Sequence, residues 1–188
     1  MSADCSDAEV QLVEEILLRV ASDISMITDR EFVVNVQSVE RENARPAGKG
    51  RVHISFRLGF EQEGGVRHGC MIIPLADAIS LACYLMMVPD DGVKGKRSLK
   101  DIDDTIKDAM LEVGNFIGGA ADAAMREAIG VSAKVRSEGC QGVRSSVRPA
   151  LIYNEGDPLL VGRAKSVIHE YPEFDLLLLL PELEGIAT

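Results

Sequence analysis

The sequence predicts an α+β fold of two layers, with long helices packed on a largely antiparallel sheet, and three observations carry that expectation. Two segments with helical periodicity, near residues 8–28 and 102–128, lie far apart in the chain. Extended segments follow each of them in succession, and turn residues rather than helices join those segments. The resulting order is helix, strands, two helices, strands, which lacks the regular βαβ alternation of a doubly wound parallel sheet. That order also repeats faintly, as a long helix, an extended segment and a hairpin-like pair in each half, so an internal pseudo-two-fold is expected. At 188 residues, with no linker-like stretch, the chain reads as a single domain spanning 1–188.

Each element has a local reason. From Ala8 to about Thr28, Val10, Val13, Ile16, Leu17, Val20, Ile24 and Ile27 recur at three- and four-residue steps, with Asp7 as the expected N-cap. Phe32-Val33-Val34-Asn35-Val36 is rich in β-branched residues, and a polar turn runs from Asn43 to Gly50. His53, Ser55 and Arg57 alternate with Val52, Ile54, Phe56 and Leu58, Gly64-Gly65 marks a turn, and Gly69 to Ile73 returns. Pro74 closes that strand, Leu75 to Met87 has the composition of a helix, and Asp90 to Arg97 reads as a polar loop. Ser98 and Asp101 have the form of a capping box for a helix from Ile102 to about Ala128, stopped at Gly130. Val131 to Val135 begins a strand, Ser137 to Ser146 reads as a polar glycine-containing loop, and Leu159 to Ile168 and Phe174 to Leu180 are strands.

Composition excludes several functions. A formal charge of −10 repels phosphate backbones and offers no global field for nucleic acid or anionic lipid, so no nucleic-acid partner is expected. The longest apolar run, Leu176 to Leu180, is strand-sized, so no membrane span is expected. The start Met1-Ser2-Ala3-Asp4 has no signal-peptide character, and a cytoplasmic protein is expected. Cys5, Cys70, Cys83 and Cys140 form no CxxC pair and read as structural thiols rather than zinc ligands. Gly92-Val-Lys-Gly-Lys96-Arg-Ser98 lacks the spacing of a phosphate loop and follows a helix. His53, His68 and His169 sit in unrelated segments without a nucleophile and base pattern, and read as surface or sheet histidines. Lys134, Arg136, Arg144, Arg148, Arg163 and Lys165 make the C-terminal part locally basic and read as solvent-facing strand positions.

The long second-half helix carries the functional signal. At 100° per residue, Ile102, Ile106, Met110, Val113, Ile117, Ala120 and Ala124 form one apolar stripe. The opposite stripe holds Asp101, Asp104, Asp108, Glu112, Asn115, Gly119, Asp122 and Arg126. Asp108, Glu112 and Asn115 are spaced i, i+4 and i+7, so their side chains point the same way. Gly114, Gly118 and Gly119 each cost about 0.8–1.0 kcal/mol relative to alanine inside a helix, so a compensating role is expected. Gly114 and Gly118 suit close internal packing, and Gly119 suits the close approach of another molecule beside Asn115.

The run Asp108-Ala-Met-Leu-Glu112-Val-Gly-Asn115-Phe-Ile-Gly118-Gly119-Ala resembles the D/S-xxx-E-xx-N signature of the CheC/CheX/FliY phosphatases of bacterial chemotaxis. Gly69-Cys-Met-Ile-Ile-Pro74, the helix from Ala76 to Met87, and then the motif helix follow the order that leads into this signature. Two departures stand out. The family pattern expects a proline where Glu138 stands, with Pro149 as a substitute after a longer loop, and Glu14 and Glu15 lack an asparagine three residues later. The resemblance therefore implies a single-site, CheX-like member, a phosphatase that hydrolyses the phosphoaspartate of a CheY-like response regulator. It implies Asn115 as the residue positioning the attacking water and Glu112 as the anchor for the regulator's lysine. Asp108 and Gly119 would contact the partner. No cofactor of its own is implied, since the phosphorylated regulator supplies Mg²⁺, and a homodimer is expected from the CheX likeness alone. The rival implication is a non-enzymatic CheC-like scaffold binding a receiver domain or a switch partner.

Overall fold

The computed structural model describes residues 5–129, 132–154 and 156–186, with no side-chain description at 128 and 129. The elements run α1 (Asp7–Thr28), β1 (Phe32–Glu42), β2 (His53–Gln62), β3 (Gly65–Pro74), α2 (Leu75–Leu85), α3 (Asp90–Lys96), α4 (Asp104–Ala124), a π-helical turn (Met125–Ile129), β4 (Lys134–Val143), β5 (Leu159–Ile168) and β6 (Phe174–Pro181). The strands form one sheet in the order β1-β5-β6-β3-β2-β4, with every pairing antiparallel. The fold is α+β, as the order of elements predicts.

Several boundaries correct the sequence reading. Ser6, not Asp7, caps α1: its hydroxyl accepts from Glu9 N while the Glu9 carboxylate accepts from Ser6 N, a reciprocal capping box. Asp103, not Ser98, caps α4, its carboxylate accepting from Ile106 N at 2.8 Å. The Asp90 to Arg97 loop contains the short helix α3, which Val93 pins to the core. Most of the Ser137 to Ser146 loop is β4, an edge strand paired to β2. The expected stop at Gly130 lies outside the described residues, as does Val131.

The helices cover one face of the sheet. Leu12, Val13, Ile16, Leu17 and Val20 of α1, Ile106, Met110, Val113 and Ile117 of α4, and Ile79 and Leu81 of α2 share one core with Phe56, Leu58, Phe60, Met71, Ile73, Leu176 and Leu178. A smaller cluster on the opposite face, Cys70, Ile72, Leu159, Val161 and Leu179, is covered by Leu151 and Tyr153 from the irregular segment after β4. Behind α2 the carboxylate of Asp77, 1% exposed, accepts from Arg97 Nη2 at 2.9 Å, and Arg97 lies 3.9 Å from the centre of the Tyr171 ring.

The sheet order is a two-fold pattern: exchanging β1, β2 and β3 for β4, β5 and β6 reverses the order onto itself. The central pairs Cys70↔Leu179, Met71↔Leu178 and Ile72↔Leu177 place the axis at Met71 and Leu178. Carried through the ladders, that axis superimposes His53–Gln62 on Leu159–Ile168 and β4 on β1. Each outer strand has a β-bulge at the matching place, Glu138 and Gly139 together facing Arg57, and Gln37 and Ser38 together beside Arg163. The symmetry is one of backbone, since few side chains repeat across it.

Candidate functional site on the exposed ridge of α4

The construction of α4 starts from its three contact faces. Ile106, Ala109, Met110, Val113, Ile117, Ala120, Ala121 and Ala124 are buried. Gly114 and Gly118 face β4 at close range: a Cβ on Gly114 would lie 3.0 Å from Ser137 Oγ, and one on Gly118 would lie 2.8 Å from Ser137 N. The helix thereby sits closer to the strand than any larger residue would permit. The third face carries Asp108, Glu112, Asn115 and Gly119, all exposed. At 1.5 Å of rise per residue, this row runs about 16 Å along the helix.

Within the row, Asn115 Nδ2 donates to Glu112 Oε2 at 3.3 Å. The carboxamide oxygen, which accepts hydrogen bonds, is left for solvent or a partner. Gly119 presents open space, with nothing within 4 Å of where a Cβ would stand. Leu111, exposed, borders the row on the β4 side, its Cδ2 lying 4.0 Å from where a Cβ on Gly139 would be. Asp104 is paired with Lys107, and both precede the row. Asp122, placed in the polar stripe by periodicity, belongs instead to the fold: its carboxylate accepts from Val135 N at 2.8 Å and pairs with Arg126.

The row is a convex ridge rather than a pocket. Two surface clefts, of about 440 and 550 Å³, lie elsewhere, one lined by Arg67, His68, Tyr153 and Pro158, the other by Glu61, Gln62, Asp122 and Lys134. A carboxylate and a carboxamide on such a ridge cannot surround a small substrate. Among the described residues no three His, Cys, Asp or Glu side chains converge as metal ligands, and no helix is long and apolar enough to cross a membrane.

On α1 the exposed face carries Gln11, Glu14, Glu15, Leu18 and Ser22. Leu18, 53% exposed, stands three residues after Glu15, where the α4 ridge has Asn115 after Glu112. The two helices therefore share a position in the fold but not a polar pair. Three of the six basic residues singled out in the sequence are matched: Arg136 pairs with Glu61, Arg163 with Glu42 and Glu40, and Lys165 with Asp175. Cys70 and Cys83 are buried, Cys5 and Cys140 half-buried, and all four are free thiols. Burial pushes the Cys70 thiol up to about 12.

A cluster around β4 escapes sequence reasoning. Ser137 lies against Gly114 and Gly118 of α4, while on the sheet face away from the helices Glu138 meets His68 of β3 and its carbonyl accepts from Arg57 of β2, although His68 and Glu138 are 70 residues apart in the chain. The glycine pair Gly114 and Gly118 was the signal that something approaches that face of α4.

No protein-family profile matches the chain, and no curated protein sequence does either. Solved structures do. FliY of Thermotoga maritima superimposes with a TM-score of 0.69 at 15% identity, covering 95% of this chain and 92% of that one. The FliM middle domain from H. pylori gives 0.66 at 12% identity, covering 94% of each. A chemotaxis protein CheX from Desulfovibrio desulfuricans gives 0.54 at 15% identity, covering 90% of this chain and 99% of that one. The chain thus has the fold of these chemotaxis proteins over nearly its whole length.

Proposed function

We propose that the protein is a phosphatase for the phosphoaspartate of a CheY-like receiver domain, with Glu112 and Asn115 as the working pair. The single observation that carries this reading is the ridge itself: the Glu-x-x-Asn pair stands exposed, joined by one hydrogen bond, near an open Gly119, on a fold shared with CheX and FliY. The ridge inserts into the receiver's active-site cleft. Glu112 leaves its bond to Asn115 and pairs with the receiver's lysine, which anchors the helix. The freed Asn115 carboxamide then orients a water in line with the bond to the leaving aspartate, its oxygen accepting a hydrogen bond from the water and its Nδ2 donating one to fix the angle.

A neutral amide is sufficient for this task. Phosphoryl transfer passes through a loose transition state in which the nucleophile carries little charge, so holding the water matters more than deprotonating it. The metal that neutralises the phosphoryl charge is Mg²⁺ of the receiver, and the protein supplies no cofactor of its own. Asp108 and Gly119 contact the receiver at the two ends of the row. The protein acts in the cytoplasm, alone or as a homodimer.

The FliM likenesses favour a second reading, a scaffold that binds without catalysis; solved FliM structures include complexes with FliG and with SpeE. Titration against receivers held in the phosphorylated form by beryllofluoride, which reads binding, together with the decay of the phosphorylated receiver, which reads turnover, separates the readings. Glu112→Ala is expected to weaken binding on the order of tenfold, while Asn115→Ala leaves binding within twofold and removes turnover. Wild-type binding without turnover establishes the scaffold, and binding untouched by Glu112→Ala removes the ridge from the interface.

A further inference from the structure

The pseudo-two-fold supplies an internal control on what this fold itself requires. Both outer strands carry the same bulge at the same place, so the bulge belongs to the architecture. The side chains around the two bulges differ. Around the β1 bulge, Gln37 Nε2 donates to Asn35 O of its own strand. Lys165 and Asp175, the counterparts of Gly59 and His68, pair with each other at 2.6 Å.

The surroundings of the β4 bulge are built otherwise. His68 Nδ1 meets Glu138 Oε2 at 2.7 Å, across the intervening strand β2, with the two side chains only 16% and 31% exposed. A carboxylate only accepts, so Nδ1 carries the proton and donates it. Gly59 makes the crossing possible, because a Cβ there would lie 2.4 Å from Glu138 Oε1. Arg57 Nη2 donates to the Glu138 carbonyl at 2.9 Å, and Gly139 takes the left-handed conformation at φ 90° that the bulge needs. The other face of the same bulge is Ser137, whose Oγ and backbone N form the seat for Gly114 and Gly118. A continuous run of contacts therefore links β3 through the β4 bulge to the helix bearing Glu112 and Asn115, with no counterpart among the described residues around the β1 bulge.

We propose that His68 and Glu138 are positioning residues that set the height and pitch of α4, and so the placement of Asn115 in the receiver's cleft. This rests on the phosphatase reading for its consequence but not for its mechanism. Cutting the pair releases the bulge, lets Ser137 move against Gly118, and shifts the ridge while the core of the helix stays packed. A displacement of the order of 1 Å at a water-positioning group can lower turnover a hundredfold, and partial release of one support is expected to lower it about tenfold.

The test compares His68→Ala, Glu138→Ala and the donor-retaining His68→Gln in the full chain. For the alanine variants, turnover of a saturating phosphorylated receiver should fall about tenfold, with affinity for the beryllofluoride-held receiver within twofold of wild type. His68→Gln should restore most of the loss. A readout independent of turnover is the NMR signal of the Asn115 side-chain amide with the backbone amides 111–119, which should shift in His68→Ala while those of α1 do not. Unchanged turnover and unmoved Asn115 signals would overturn the proposal. So would shifts spread equally over α1, which mark general loosening. If wild type dephosphorylates no receiver, the phosphatase reading fails, and the Asn115 signals still decide whether His68 positions the ridge.

Discussion

Gly118 and Gly119 are neighbours on one helix, and their replacement by alanine is expected to act in opposite directions. Each substitution gains about 0.8–1.0 kcal/mol of helix propensity. At Gly119 nothing lies within 4 Å of the new methyl group, so Gly119→Ala should realise that gain. At Gly118 the methyl would meet Ser137 N at 2.8 Å and the Arg136 carbonyl carbon at 3.2 Å. These are backbone atoms of a paired strand and cannot turn aside, so the overlap costs about 1–3 kcal/mol, the usual range for overpacking. The two adjacent variants share propensity and chemistry, so their difference in stability isolates the overlap, about 1–3 kcal/mol. Urea unfolding of both variants beside wild type gives that difference directly, and a shift of roughly 2–4 °C in Tm accompanies each kcal/mol. Equal stabilisation by the two substitutions would refute the close seating of α4 on β4. Gly119→Ala carries a second expectation, weaker receiver binding in a more stable protein, because the added methyl stands on the docking ridge.

Other predictions concern the frame around the site. Burial pushes the Asp77 carboxyl above its ordinary value despite the neighbouring Arg97. A carboxyl raised by folding holds its proton more tightly in the native state, so its contribution falls as pH rises from the ordinary carboxyl range through the raised value. As pH rises out of the ordinary carboxyl range, Asp77→Asn should therefore lose less stability than wild type, and parallel urea midpoints would contradict this. Ser6→Ala removes the α1 capping box and should cost about 1 kcal/mol in urea unfolding, with no effect on receiver binding since that end of α1 is remote from the ridge. Leu18→Asn places a Glu-x-x-Asn pair on exposed α1, and stability should stay within about 0.5 kcal/mol of wild type in the same assay.

Periodicity made the ridge legible because helix geometry is local. Asp108, Glu112, Asn115 and Gly119 share a face by spacing alone, and the buried stripe opposite them follows from the same arithmetic. The hairpin β2 and β3 was legible for a similar reason, alternation broken at Gly64-Gly65. Strand β4 was not. Ser137-Glu-Gly-Cys-Gln-Gly-Val is polar and holds two glycines, and it is ordered by pairing with β2, some eighty residues away, and by a bulge that breaks its alternation. Helix α3 was hidden by Gly92 and Gly95, which lower its propensity, and it is held by one buried residue, Val93. Asp122 shows the limit of a helical wheel: the polar face it shares meets solvent along most of its length and the Val135 amide at its end. His68, Arg57 and Glu138 meet only when the sheet forms, so no sequence window contains them together.

The central claim is that Asn115 orients the hydrolytic water, and its most direct measurement is the decay of a phosphorylated receiver domain in Mg²⁺ with added protein. Wild type should accelerate the decay, and Asn115→Ala at equal receiver occupancy should return it to the receiver's own rate. Acceleration that survives in Asn115→Ala would contradict the account.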